Sequence, residues 1–246
     1  MLQVPLIKEC ESIAARYAGL HERIAEAARR SKRDPQDVRL VAVSKTHGVA
    51  AIREAIAAGA VDFGENRVQE AAMKIETIGR TQARWHLIGH LQANKARRAV
   101  SVFDVIHSVD SVELVTRLER LCIEVERAEL PVLVQVDLGG EATKNGISIE
   151  AMPNLIDAVN ACEHVKLVGL MTLPPYFENA EDVRPCFRRL RELRDEWRGR
   201  GVFTSSSGYA DGELSMGMSH DFEIAIEEGA TMVRVGTQLF GEREQV

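Results

Sequence analysis

Cysteine is scarce: Cys10, Cys122, Cys162 and Cys186 lie far apart in 246 residues, within segments that read as helices, and form no Cys-x-x-Cys pair. They read as free thiols in a reducing compartment. Positive charge is not in excess. Lys plus Arg number 31 and Asp plus Glu 37, a formal net charge of −6, with the basic residues spread over expected helix faces. No nucleic-acid partner is expected from such a distribution. No stretch reaches the roughly 18 continuous apolar residues of a membrane span. The start, Met1 to Glu9, has neither the basic segment nor the long apolar core of a signal peptide. The cytoplasm is therefore the expected location, with no membrane association. Linker-like composition is confined to Phe203–Gly212, a loop with mobile character but no sign of a domain boundary.

An apolar fraction of 45% and a charged fraction of 28% supply a full core, and the length suits one α/β barrel, which takes about 250 residues. One domain spanning 1–246 is expected. Ile13, Tyr17, Leu20 and Ile24 recur at three- and four-residue spacing among charges, which predicts a long amphipathic helix over about 5–31, packed on the barrel. Short β-branched runs then fall near 38–44, 61–64, 84–89, 103–107, 131–137, 165–171, 213–217 and 231–235. Helical patterns separate them near 49–58, 66–78, 91–100, 111–128, 149–161, 180–198 and 220–228. Such alternation requires a parallel sheet, and eight units close it into a (β/α)8 TIM barrel; an open doubly wound sheet is the alternative. The echo between Ala55–Gly64 and Ala225–Gly236, each with a glycine stopping a helix before a strand, agrees with repeated βα units.

The run Val38–Val43 leads through Ser44 to Lys45, so an amine points into whatever site the strand end forms. Most strand-end lysines are solvated. One held against an apolar sheet loses hydration, and its amine becomes a candidate for an imine with an aldehyde. In a barrel, sites lie where strands end, and a phosphate commonly sits after strands seven and eight. Here those ends carry Ser219, a candidate helix N-cap, together with Gly236 and Thr237, which offer free N–H groups and a hydroxyl. Taken singly, Ser219 caps a helix and Gly236 makes a turn. Amine and anion cradle together describe an aldehyde bearing a phosphate, and pyridoxal 5′-phosphate is the common cofactor that fits. His86 and His90 do not form a metal pair, because four residues along a strand span roughly 13 Å. Strand packing is expected for His86 and a loop role for His90.

Six strings, Val43–Thr46, Phe63–Glu70, Trp85–Lys95, Gly169–Thr172, Leu214–Asp221 and Val233–Gly241, resemble those of the pyridoxal phosphate homeostasis proteins, the YggS or PROSC family, in order along nearly the whole chain. The resemblance implies a single barrel like the N-terminal domain of alanine racemase (fold type III). It implies cofactor held as an imine on Lys45, a part in vitamin B6 balance, and no established catalytic reaction. Apo enzymes that use the cofactor are the implied recipients. Carried over by residue, Ser219, Gly236 and Thr237 would hold the phosphate, Arg234 would face the pyridine nitrogen, and Asn66 would line the pocket. A permanent guanidinium disfavours a protonated ring nitrogen and so makes a poorer electron sink. Lys144, in a string Glu141–Gly146 that also resembles the family, is a candidate second amine for transfer, against the alternative of a solvated loop lysine. One departure is Arg67, where many relatives carry an aromatic residue.

Two enzyme readings compete with the carrier. A racemase of this fold needs a tyrosine opposite the lysine from an additional β-rich domain, for which the residues after the eighth strand leave no room. Among Tyr17, Tyr176 and Tyr209, only Tyr209 in its loop offers a candidate substitute. A sugar or phosphate enzyme using Lys45 as aldolases do is the other. A monomer is the default expectation.

Overall fold

Eight parallel strands follow one another around a closed barrel in sequence order: β1 Arg39–Val43, β2 Asp62–Glu65, β3 Arg84–Leu87, β4 Val105–Val109, β5 Leu130–Gln135, β6 Val165–Met171, β7 Glu213–Ser215 and β8 Met232–Val235. The ring is sealed where β8 pairs with β1, Leu40 opposite Val233 and Val41 opposite Arg234. This computed structural model describes residues 11–139 and 145–241. The closed barrel rather than the open sheet is thus the architecture, because the last strand returns to the first.

The helices between strands are α2 Val49–Ala57, α3 Val68–Ile78, α4 Ala96–Val102, α5 Val112–Glu124, α6 Met152–Asn160, α7 Arg184–Gly199 and α8 Phe222–Glu227, preceded by α1 Ile13–Arg30 and followed by the short α9 Thr237–Phe240. Helix α4 begins later than the periodicity suggests, since a 3-10 turn over Ala93–Lys95 comes first. The predicted beginning of α1 near residue 5 lies outside the described residues, as do Cys10 and Lys144.

Helix α1 starts where Ser12 Oγ accepts from the Ala15 N–H at 3.1 Å, satisfying one of the donors that a helix start leaves unpaired. Arg29 and Arg30 occupy its last turn, opposite in sign to that end of the dipole. It buries Leu20, Ile24 and Ala27 and is pinned across the β8–β1 seam by Arg23–Glu223 at 2.8 Å and Arg30–Glu227 at 3.0 Å. These ion pairs are largely exposed and add little energy; the buried apolar stripe carries the attachment.

Strand alternation divides the core in two. Phe63, Trp85 and Phe187 lie between the outer barrel wall and the helices, whereas Val41, Val105, Leu133, Val168 and Met232 fill the inside. The loop over 203–212 precedes β7 and so closes the amino end of the barrel. Tyr209 there is 2% exposed, with the Arg39 guanidinium 4.6 Å from its ring centre. The loop-like composition conceals a buried anchor, because an aromatic ring plugs the barrel floor.

Candidate functional site at the carboxyl rim

Lys45 extends the inward parity of Val41 and Val43 by one more step past the end of β1. Both of its neighbours are held by one buried cluster. Ser44 Oγ donates to Glu65 Oε1 at 2.7 Å, and Lys74 on α3 donates to the Ser44 carbonyl at 2.8 Å and to Glu65 Oε1 and Glu70 Oε1 at 2.7 Å each. On the other side, the Thr46 N–H donates to Glu70 Oε1 at 2.6 Å. Thr46 has φ +69°, a left-handed conformation that costs a β-branched residue energy and persists only where neighbours impose it. Burial pushes the Glu65 carboxyl up despite its bonds to Lys74 and Ser44. Glu70, less buried, is held below the ordinary range by Lys74 and the Thr46 N–H. This clamp escapes the sequence reading, although an acid ending an apolar strand and the Glu70–Lys74 spacing on one helix face were visible signals.

Lys45, Asn66, Ser219, Arg234, Gly236 and Thr237, the six residues expected at the site, all line one cavity of about 330 Å³ at the carboxyl ends of β1, β2, β7 and β8. Val43, Ile88 and Leu173 supply apolar wall. Two glycines permit this convergence. A Cβ on Gly89 would overlap the Asn66 carbonyl and stand 2.8 Å from its Cα, so only glycine lets the loop after β3 press against Asn66. A Cβ on Gly236 would stand 3.1 Å from the Val43 carbonyl oxygen, where the ends of β8 and β1 nearly touch.

Arg234 is 2% exposed. Its Nη1 donates to Ser215 Oγ at 2.7 Å and its Nη2 to the Thr172 carbonyl at 2.9 Å, both uncharged oxygens. Burial lowers the guanidinium to about 10 against the opposing charge of Asp221, so it stays a cation at neutral pH. A cation with uncharged hydrogen-bond partners in a cavity wall favours an electron-rich ligand atom.

Ser219 lines the cavity but does not cap α8. That helix begins at Phe222, and Asp221 occupies the cap position with its carboxylate accepting from the Met218 N–H at 2.6 Å. The Asp221 side chain makes no bond to the N–H groups of α8, and Ser219, three residues before the helix, lies in a turn where its carbonyl accepts from Gln238. His90 stands on the rim 3.5 Å from Asp110, and His86 points into the barrel toward Asp62 and His107. Tyr209 lies at the opposite end from the cavity, which removes it as a substitute opposite Lys45. Tyr176, 76% exposed, lies tilted beside His220 at the cavity mouth with ring centres 5.2 Å apart. A larger groove of about 760 Å³ lies at the amino end among Arg33, Arg39, Arg191, Arg194 and Arg198. Each of these guanidiniums already donates to a carboxylate or carbonyl.

The donor set at the carboxyl rim suits a phosphorylated aromatic aldehyde. It offers a primary amine, a buried guanidinium, hydroxyls on Ser219 and Thr237, and apolar walls. The first N–H groups of α9, which a helix start leaves without internal acceptors, open beside Gly236.

Residues 17–244 match the family described as alanine racemase, N-terminal domain. The pyridoxal phosphate homeostasis protein of Aquifex aeolicus is 44% identical over 229 residues, covering 93% of this chain and 97% of that one. The protein of the same description in Pseudomonas aeruginosa is 44% identical over 237 residues, covering 95% and 96%. PipY of Synechococcus elongatus, solved with PLP bound, superposes with a TM-score of 0.79 at 41% identity, covering 93% of this chain and 100% of that one. Match to the racemase-type domain over nearly its whole length, and near-complete alignment with those relatives, show that the chain belongs to the pyridoxal phosphate homeostasis protein family.

Proposed function

We propose that the protein binds pyridoxal 5′-phosphate at the carboxyl rim, carries it covalently on Lys45, and serves vitamin B6 balance as a carrier rather than as an enzyme. The observation supporting this most is the convergence of Lys45, Arg234, Ser219, Gly236 and Thr237 on one cavity, drawn from strands far apart in sequence. The PLP-containing PipY relative supports the choice of ligand.

The ligand supplies an aldehyde and an aromatic ring; the chain supplies everything else. Lys45 Nζ attacks as a neutral amine and ends in a reversible C=N link with release of water. Thr237, Ser219 and the first turn of α9 bind the phosphate through hydroxyl and N–H donors. Arg234 directs N–H donors at the ring nitrogen and keeps a proton off it, which weakens the ring as an electron sink. Val43, Ile88 and Leu173 exclude water from the ring, and Asn66 borders it. Delivery to apo enzymes that use the vitamin is the biological role this chemistry suits.

Loaded protein should be yellow, and borohydride should fix the cofactor on the peptide containing Lys45. K45A should abolish that fixation. Failure to take up PLP at saturation overturns the proposal. Racemisation of single-enantiomer amino acids above the free-cofactor background, lost in K45A, would instead establish the racemase reading.

A further inference from the structure

The barrel interior holds a chain of polar groups that the binding reading does not use. Asp62, first residue of β2, lies at the amino end of the barrel, with Arg84 Nε 3.0 Å and Arg39 Nε 3.7 Å from its carboxylate. His86 Nε2 lies 2.8 Å from Asp62 Oδ1, His86 Nδ1 lies 2.9 Å from His107 Nε2, and His107 Nδ1 lies 2.8 Å from Ser215 Oγ. Ser215 Oγ in turn accepts from Arg234 Nη1 at 2.7 Å. All five side chains are buried.

The two ends determine every proton between them. A guanidinium only donates and a carboxylate only accepts. His86 therefore carries its proton on Nε2, facing Asp62. As a neutral ring it accepts at Nδ1, so His107 donates from Nε2. His107 then accepts at Nδ1 from the Ser215 hydroxyl, whose oxygen accepts from Arg234. Burial disfavours charge on both rings: it depresses His107 well below the ordinary histidine range and lowers His86 against the pull of Asp62. Every donor thus points one way, from the cavity wall to the barrel floor. Such chains polarise one another, and each bond fixes the rotamer of the next group.

We propose that Asp62, His86, His107 and Ser215 form a one-directional hydrogen-bond relay that positions Arg234, holding its remaining N–H groups toward the cavity and coupling the barrel floor to the bound ring. These are positioning residues, since none of Asp62, His86 or His107 lines the cavity. The relay rests on the PLP-binding reading for its consequence but not for its existence.

Two measurements test it. Long-range 1H–15N spectra of the unloaded protein should show His86 and His107 neutral and protonated at Nε2. In D62N the new amide can donate to His86 Nε2, which reverses the relay, so His107 should gain an Nδ1-protonated population. On the PLP-loaded protein, D62N should move the visible absorption band and speed cofactor release by about 2- to 30-fold, the range of coupling through residues that touch no ligand. S215A, which cuts the relay beside Arg234, should move the same band. E228Q removes an equally buried carboxylate elsewhere, paired with Arg184, Arg188 and Arg191, and should lower thermal stability while moving neither signal. A wild-type His107 protonated at Nδ1 overturns the proposal, whatever the variants do. So does a D62N protein with wild-type His107 protonation and band, or an E228Q protein that moves both. Wild-type protein that refuses PLP would sink the binding reading while the spectra of the unloaded protein still decide this one.

Discussion

The Lys74 ammonium donates to the carbonyl of Ser44 at 2.8 Å, so a helix residue 30 positions away anchors the peptide immediately before Lys45. The same ammonium neutralises Glu65, a fully buried carboxylate. Replacing it in K74M leaves that charge without its partner, and a broken buried pair costs about 3–5 kcal/mol. Urea denaturation should show a loss of that size at neutral pH. The loss should shrink in acid, because Glu65, whose pKa is already raised by burial, is then protonated and no longer needs the cation. E65L/K74M, which removes both charges, should recover most of the stability.

Stability should fall as pH drops below about 6.5, the ordinary histidine value. In the unfolded chain His107 takes a proton there, whereas in the fold burial, His86, Arg234 and Arg39 hold its pKa far lower. The unfolded state then binds more protons, so the fold loses up to about 1.4 kcal/mol per pH unit for each such histidine. His86 adds to the same slope, since its pKa is lowered as well. Denaturation midpoints measured from pH 7.5 to 5 should show the decline, and H107Q should flatten it.

Gly89→Ala should damage the site from outside it. The new Cβ would overlap the Asn66 backbone, which no rotamer change can relieve. Overpacking of this kind costs about 1–3 kcal/mol. The displaced Asn66 should weaken PLP uptake, measured by titration of the unloaded protein, while Lys45 remains reducible onto the cofactor.

Arg67 stands at the N-cap of α3 in an extended conformation without a side-chain cap bond. Serine there can accept from the exposed N–H groups of the first turn. R67S should therefore raise stability by about 1 kcal/mol in urea denaturation.

The eight strands and seven intervening helices are legible in the sequence because each depends on local pattern: β-branched runs, 3.6-residue periodicity and glycine stops. Lys45, Ser219, Gly236 and Thr237 are legible as rim residues for the same reason, since a strand end is a local event and barrel geometry brings strand ends together; Asn66 and the role of Arg234 come only with the family resemblance. Which buried polar group meets which is not local. Asp62 reaches His86 across 24 residues once β2 pairs with β3, and His107 on β4 reaches Ser215 on β7 across 108, inside the barrel. The Lys74 clamp and the burial of Tyr209 at the floor are of this kind. Sequence pattern determined where the chain turns inward; the closed barrel decided what each inward group finds there, because a buried donor or acceptor must be paired and only the assembled fold supplies the partner.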